Sequence, residues 1–502
     1  MFLLLAVVFP LVAGITILVT YKKLDKKILN ILFLSTLAVS AVFTLIALYG
    51  RAGSEDGLQI ISGSRGIRLW SFTEKISMEL SVDGVSKLFG TLMALMFTTV
   101  GFYTVSYMEH DDGRGRFFGF YLSVFGVLNG IYMSSNLVTM YLFYELMTLL
   151  SLPLVLHDLT KEAISAGLKY LFYSIAGAFL SLISIFMIYQ YSSEVTFKGG
   201  GILDPYKLAG HETAMLIFAM MAIIGFGCKA GLFPLHDWLP TAHPVAPAPA
   251  SAILSGVITK SGVVAIIRLV FFSIGADYLK GTTVQTIFLV LSLLTVFIGS
   301  MMAYMEKVMK KRFAYSTVSQ VSYVLFGLAT LNPIAILGAL LHIIFHSVIK
   351  DDLFLVAGAI IHNTGITRVD ELKGIGKRMP VTIGAFTLAA LALVGIPPFS
   401  GFISKWFLCS GAIAADIGAF SYVGPAILLI SALLTAGYLF PITIDGFFPG
   451  KDFSGTTEKC EAGPLMLVPI ILLGALALFF GVFPGLLENG INTIIQEMGL
   501  LN

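Results

Sequence analysis

The sequence predicts an all-α polytopic membrane protein, and three observations carry that prediction. Of its 502 residues, 57% are hydrophobic and only 12% charged, with a mean hydropathy of +0.91. A soluble domain carries about 25% charged residues. Apolar runs of about 20 residues, the length that crosses a bilayer as a helix, recur from end to end. Two of these runs are interrupted by proline, one at Pro234 and Pro240 and the other at Pro397–Pro398. Broken helices are tolerated at membrane depth only where protein or a wet cavity surrounds them.

About fourteen spans follow from the runs. The first six are Phe2–Thr20, Ile28–Tyr49, Val82–Tyr107, Phe117–Met133, Leu137–Leu156 and Ala163–Tyr189. Then come the broken Thr213–Leu239, followed by Ala252–Phe272, Thr283–Ala303 and Phe313–Leu328. Ile334–Ile361, the broken Val381–Phe407, Tyr422–Ile444 and Leu465–Val482 complete the set. No basic residue precedes the first run, and Lys22, Lys23, Lys26 and Lys27 follow it, so it is expected to be a retained span rather than a cleaved signal. No lateral helix is expected after Val482.

Positive charge orients the spans. The connections Lys22–Lys27, Lys307–Arg312 and Arg368–Arg378 are strongly basic, whereas Ser134–Asn136 and Leu331–Pro333 carry no basic residue. The positive-inside rule then places the N-terminus outside, in a cell membrane. The segment Arg51–Lys75 is outside on this count. Its basic residues Arg51, Arg65, Arg68 and Lys75 are offset by Glu55, Asp56 and Glu74, and its alternating pattern predicts a short extracytoplasmic hairpin.

Composition also excludes whole classes. The net charge of +2 comes with no basic, aromatic-laced tract, so a nucleic-acid partner is not expected. Cys228, Cys409 and Cys460 are scattered, which offers neither an iron–sulfur cluster nor a zinc site. No metal and no cofactor are expected on this chain. Phosphate loops, nucleophile triads and haem motifs are likewise missing from the sequence.

What remains is ionisable residues inside apolar runs. A lysine at the centre of a spanning helix costs roughly 2.5–3.5 kcal/mol on insertion scales, so such residues are functional candidates by default. Glu145 sits deep in one run and Lys229 two spans later, and a pair between them is expected. Lys260 lies mid-span beside the small residues Ser255, Gly256 and Ser261, which leave room for water. His342, His346 and Lys350 follow at i, i+4 and i+8, stacked along one helix face. Imidazoles titrate near neutral pH, as a proton wire requires. A zinc pair is the competing reading of the two histidines, but the glutamate of H-E-x-x-H is missing. Lys405 follows the second proline break; an interfacial lysine beside Trp406 is its plain reading. His236 and His243 flank the first break as possible relays or backbone caps. Asp351 and Asp352 offer either partners for Lys350 or oxygen ligands for Na+. Proline breaks in two corresponding spans point to an inverted-repeat transporter core.

At these residues the chain resembles the antiporter-like membrane subunits shared by respiratory complex I, Mrp-type Na+/H+ antiporters and membrane-bound hydrogenases. The matching stretches are LFYELMTLLSLPLVL, LKYLFYSIAG, CKAGLFPLHDWLPTAHPVAPAPASAILSGVITKSG, FAYSTVSQVSYVLFGLA, HIIFHSVIKDDLFLVAG and GIPPFSGFISKW. They run in family order from about Phe102 to Lys405, with the D-type Mrp subunit, its hydrogenase counterpart and chain M of complex I as the best fits. The resemblance implies fourteen helices: three over 1–107 with the hairpin, two inverted five-helix repeats over 117–272 and 283–444, and a last helix over 465–502, helices 7 and 12 being broken. It assigns Glu145 and Lys229 to the family's helix-5 and helix-7 pair, Lys260 to the central lysine, and Lys405 to the exit. The family usually has small or apolar residues where Asp351 and Asp352 stand.

The function implied is proton translocation through Glu145, Lys229, Lys260, His342, His346, Lys350 and Lys405, coupled to redox chemistry or Na+ exchange elsewhere in a multisubunit complex. Other membrane subunits and a peripheral iron–sulfur arm are the implied partners. The alternatives are Na+ as the carried ion, or a structural anchor whose charges only fix packing.

Overall fold

The computed structural model describes residues 1–50, 59–61, 64–451 and 453–501. Among these, eleven helices are long and apolar enough to cross a membrane. The predicted spans Phe117–Met133 and Phe313–Leu328 fall on the less apolar helices Arg114–Tyr132 and Met309–Ala329. Val381–Phe407 is divided between two short helices, Pro380–Val394 and Ser400–Ala414.

Helix starts follow from local chemistry. Asn136, Thr160 and Thr282 each accept a backbone N–H with their side chain at the head of a helix, satisfying donors that the first turn leaves free. Small residues let helix backbones approach: a Cβ on Gly177 would stand 2.6 Å from the Gly225 carbonyl, so both helices need glycine there.

The first predicted break is real. Helix Glu212–Ala230 ends at Gly231, whose φ of +83° no larger residue adopts cheaply, and helix resumes at Trp238–Val245. Trp238 Nε1 donates to the Cys228 carbonyl at 2.9 Å, capping the end of the first half. The second break runs from Gly395, with φ +90°, to Ser400.

Two long helices run through the interior. Ala248–Ile274 is buried along its whole length, and Pro333–Thr364 is buried without a break from Gly338 to Ile360. Ala248–Ile274 is not a plain α-helix. Residues Leu254–Ile258 and Val270–Ile274 are π-helical, the first stretch ending two residues before Lys260. Outer helices such as Lys26–Tyr49 and Phe420–Phe447 expose apolar faces, with Ile31 and Leu433 turned outward, as lipid requires.

The chain is not wholly helical. Instead of a simple hairpin, strands Gln59–Ile61, Ser64–Ser71 and Ser77–Val82 form a three-stranded antiparallel sheet. Its last strand takes up Val82, counted from sequence as the head of the third span, and Asp83 caps the helix that begins at Gly84. Arg68 Nε lies 2.7 Å from Glu79 Oε1, while Arg51, Glu55 and Asp56 fall outside the described residues. Beyond Val482 a short helix, Gly485–Glu497, packs Ile491, Ile494 and Ile495 inward, and Glu497 accepts the Gly84 N–H at 2.8 Å.

Candidate functional site

Lys229 is fully buried in the last turn of Glu212–Ala230, where the helix dipole favours a cation. Its ammonium donates to three hydroxyls, Thr148 Oγ1 at 2.9 Å, Tyr170 OH at 2.8 Å and Ser174 Oγ at 3.0 Å. The Tyr170 ring lies 4.4 Å away as a π-face. The expected ion pair with Glu145 does not form. Among the described residues no carboxylate stands within 4.0 Å of Lys229, and Glu145 Oε1 is buried without a hydrogen bond. Thr148, three residues further along the same helix, reaches the lysine in its place.

Lys260 makes the central contact. Its Nζ donates to the Ser255 carbonyl at 2.5 Å and meets His346 Nδ1 at 2.8 Å. The Ser255 carbonyl belongs to the π stretch, where the extra residue per turn leaves a carbonyl aimed at a side chain five positions on. The His346 ring stacks towards His342 with centroids 6.0 Å apart. His342 Nδ1 then meets Ser404 Oγ at 2.9 Å, and its Nε2 meets Gln320 Oε1 at 3.2 Å. Tyr323 closes the file, stacked 5.6 Å from His342 on one side and 5.4 Å from Lys405 Nζ on the other. Lys405 itself donates to the Leu393 and Val394 carbonyls at 2.6 and 2.8 Å, the free end of the broken helix.

Lys350 leaves this line although it shares the helix face. It donates to Ser316 Oγ at 2.6 Å and the Phe313 carbonyl at 3.2 Å, and Ser316 meets Tyr438 OH at 2.5 Å. Asp351 and Asp352 do not pair with it: both are fully buried, and none of their four oxygens has a hydrogen-bond partner. His243 is buried with both nitrogens unpartnered and its ring stacked 4.7 Å from Phe354, while His236 is half-buried against Phe233. Neither contacts Lys229 or Lys260 directly. Beside them Asp237 is ion-paired with Lys169.

Sequence reasoning missed the hydroxyl and amide partners. Ser316, Gln320 and Tyr323 lie at i, i+4 and i+7 on Met309–Ala329, a polar stripe that helical spacing makes visible once sought. It also missed Arg268, buried in Ala248–Ile274 and bonded by both guanidinium ends to Asp83.

Comparison with known proteins places the chain in a family. Residues 134–435 match the family described as NADH:quinone oxidoreductase/Mrp antiporter, TM, and residues 70–118 match complex I chain 5 N-terminus. The chain is 33% identical to the N-type subunit of the NADH-quinone oxidoreductase of Desulforudis audaxviator, over 84% of each chain. It is 30% identical to the D-type subunit of a Na(+)/H(+) antiporter of Alkalihalophilus pseudofirmus, over 79% of each. Its fold superposes on a chain of the Mrp complex from Dietzia sp. DQ12-45-1b with a TM-score of 0.82, at 22% identity, covering 99% of this chain and 97% of that one. The chain is thus a member of the antiporter-like family of polytopic membrane subunits found in NADH:quinone oxidoreductases and Mrp antiporters.

Proposed function

We propose that this chain moves protons across the cell membrane along Lys260, His346, His342 and Lys405. The observation that carries the reading is the buried file itself, in which Lys260 touches His346 and His342 reaches the residue next to Lys405. A proton enters from the cytoplasm and rests on Lys260. His346 and His342 pass it on, and Lys405 releases it outside. Glu145 and Lys229 act on this file through their charge, and Lys350 supplies a branch towards Ser316 and Tyr438. His236 and His243 lie on the proposed entry side.

Each charge moved against 100 mV needs about 2.3 kcal/mol, so a partner reaction or a second ion gradient drives the cycle. The chain binds no cofactor in this reading. It works beside other membrane subunits, with a peripheral iron–sulfur arm where the complex is a redox one. Fourteen crossings, two inverted five-helix repeats over 117–272 and 283–444, and an outside N-terminus belong to the same proposal. The test is Lys260→Ala in the reconstituted complex: coupled transport is lost, and unaltered pumping discards the file.

Na+ transport is the second reading, favoured by the four unpaired oxygens of Asp351 and Asp352, since hard cations take oxygen ligands. It requires Na+-dependent activity that Asp352→Asn removes.

A further inference from the structure

Away from the buried file, two connections that the proposed orientation places on the cytoplasmic side meet at His157. This residue follows helix Leu137–Val155, and its Nε2 stands 2.9 Å from Asp111 Oδ2 in the connection before Arg114–Tyr132. Asp158 joins them, so that one donor atom from each of Asp111, His157 and Asp158 lies within 4.8 Å of the others. Two ligands of a tetrahedral zinc ion sit about 3.4 Å apart, given bond lengths near 2.1 Å, so this spacing closes around an ion with small side-chain shifts.

The site is built, not incidental. The His157 ring is only 4% exposed and is held edge-on against Phe117 at 5.4 Å, while its carbonyl accepts from Arg116 Nη2 at 2.5 Å. Asp111 Oδ1 accepts the Gly113 N–H at 2.6 Å, which aims the other oxygen at the ring. Asp158 is exposed. Asp111 also borders a cavity of about 290 Å³. His157 Nδ1 is buried without a partner, so Nε2 makes the ring's one hydrogen bond, to Asp111. A metal at Nε2 would replace that hydrogen bond and bind the carboxylate in its stead.

We propose that Asp111, His157 and Asp158 form a site for a transition-metal dication of the Zn2+ type, with water in the fourth position. One nitrogen and two carboxylate oxygens are zinc ligands, and three protein ligands with water in the fourth position is the open arrangement, unlike the closed one of a structural zinc. Spacing in the sequence hides it, because 46 residues separate Asp111 from His157. Occupancy ties the two connections together at the face where the proposed function has protons enter, and to that extent the inference rests on that function. The binding does not.

The experiment titrates Zn2+ into the purified full-length chain against a chromophoric chelator. Losing a partner one step out from a metal already weakens binding roughly 10–100-fold, so Asp158→Asn should weaken it at least about tenfold and His157→Gln further. Asp158 is exposed, so its variant keeps the fold, and the melting temperature without metal checks this. Equal Zn2+ affinity in folded Asp158→Asn and the parent overturns the site. Because no transport is measured, a failure of the proton-carrying function leaves this result standing, and the reverse.

Discussion

Lys260 Nζ and His346 Nδ1 stand 2.8 Å apart although 86 positions separate them in the chain, and both side chains are buried, one on each of two long interior helices. A contact of this kind between a buried amine and an imidazole lets one proton be shared by two bases.

His346→Ala removes the next base along the file while leaving Lys260 its Ser255 carbonyl. A positioned proton-transfer group is worth roughly 10²–10⁴ in rate, so proton uptake should fall by about 10² or more. Dye quenching in inverted vesicles measures it. Undiminished uptake would show that protons bypass His346.

Tyr170→Phe takes one of three hydroxyls from the Lys229 ammonium. Hydrogen bonds to charged groups contribute about 1.5–3 kcal/mol, so thermal unfolding in detergent should show a loss of that size. Lys229→Met, which removes the charge the hydroxyls serve, should be tolerated better than its burial suggests. A larger loss for Lys229→Met than for Tyr170→Phe contradicts this.

The Asp83–Arg268 pair gives stability a pH dependence. Burial alone would raise the Asp83 carboxyl, but the charge and hydrogen bonds of Arg268, with those of Ser86, outweigh it and hold the group below its ordinary 3.8. A depressed carboxyl stabilises fully above the unfolded value and loses that contribution as pH falls through the folded one. Asp83→Asn, which leaves Arg268 buried without its anion, should cost about 3–5 kcal/mol at pH 7. The gap between variant and parent should narrow below pH 3.8. Melting curves at both pH values check it; a gap independent of pH refutes the pairing.

Gly256→Ala drives a Cβ into the Asp351 carboxylate from within the π stretch. Overpacking of this kind costs about 1–3 kcal/mol. Combining it with Asp351→Ala should recover most of the loss, because the clash and the unpaired carboxylate disappear together. Additive losses in the double variant would place the strain elsewhere.

The helices and their breaks were legible in the sequence because hydrocarbon imposes length and apolarity on anything that crosses it. Gly231 and Gly395 mark both breaks, next to the prolines that signal them. The ionisable residues were legible for the same reason: Lys229, Lys260 and Lys350 are conspicuous in apolar runs, and all three are buried. Their partners were not. Opposite charge suggested Glu145 for Lys229 and Asp351 for Lys350, yet Thr148, Tyr170, Ser174 and Ser316 hold those amines. Hydroxyls are common in spanning helices and carry no pattern until the helices are packed. The π stretch before Lys260 was equally hidden, since Leu254–Ile258 reads as ordinary apolar helix and Gly256 meets Asp351 only once the helices are packed.

The hydroxyl cradle of Lys229 has a consequence of its own. Alcohol dipoles turn to face either a proton donor or a lone pair, so they accept the amine in both of its forms. A carboxylate clasp, by contrast, would strand a bare anion each time the proton left. In the proposed function this leaves Lys229 open to distant charge, that of Glu145 among it, instead of latched to one neighbour.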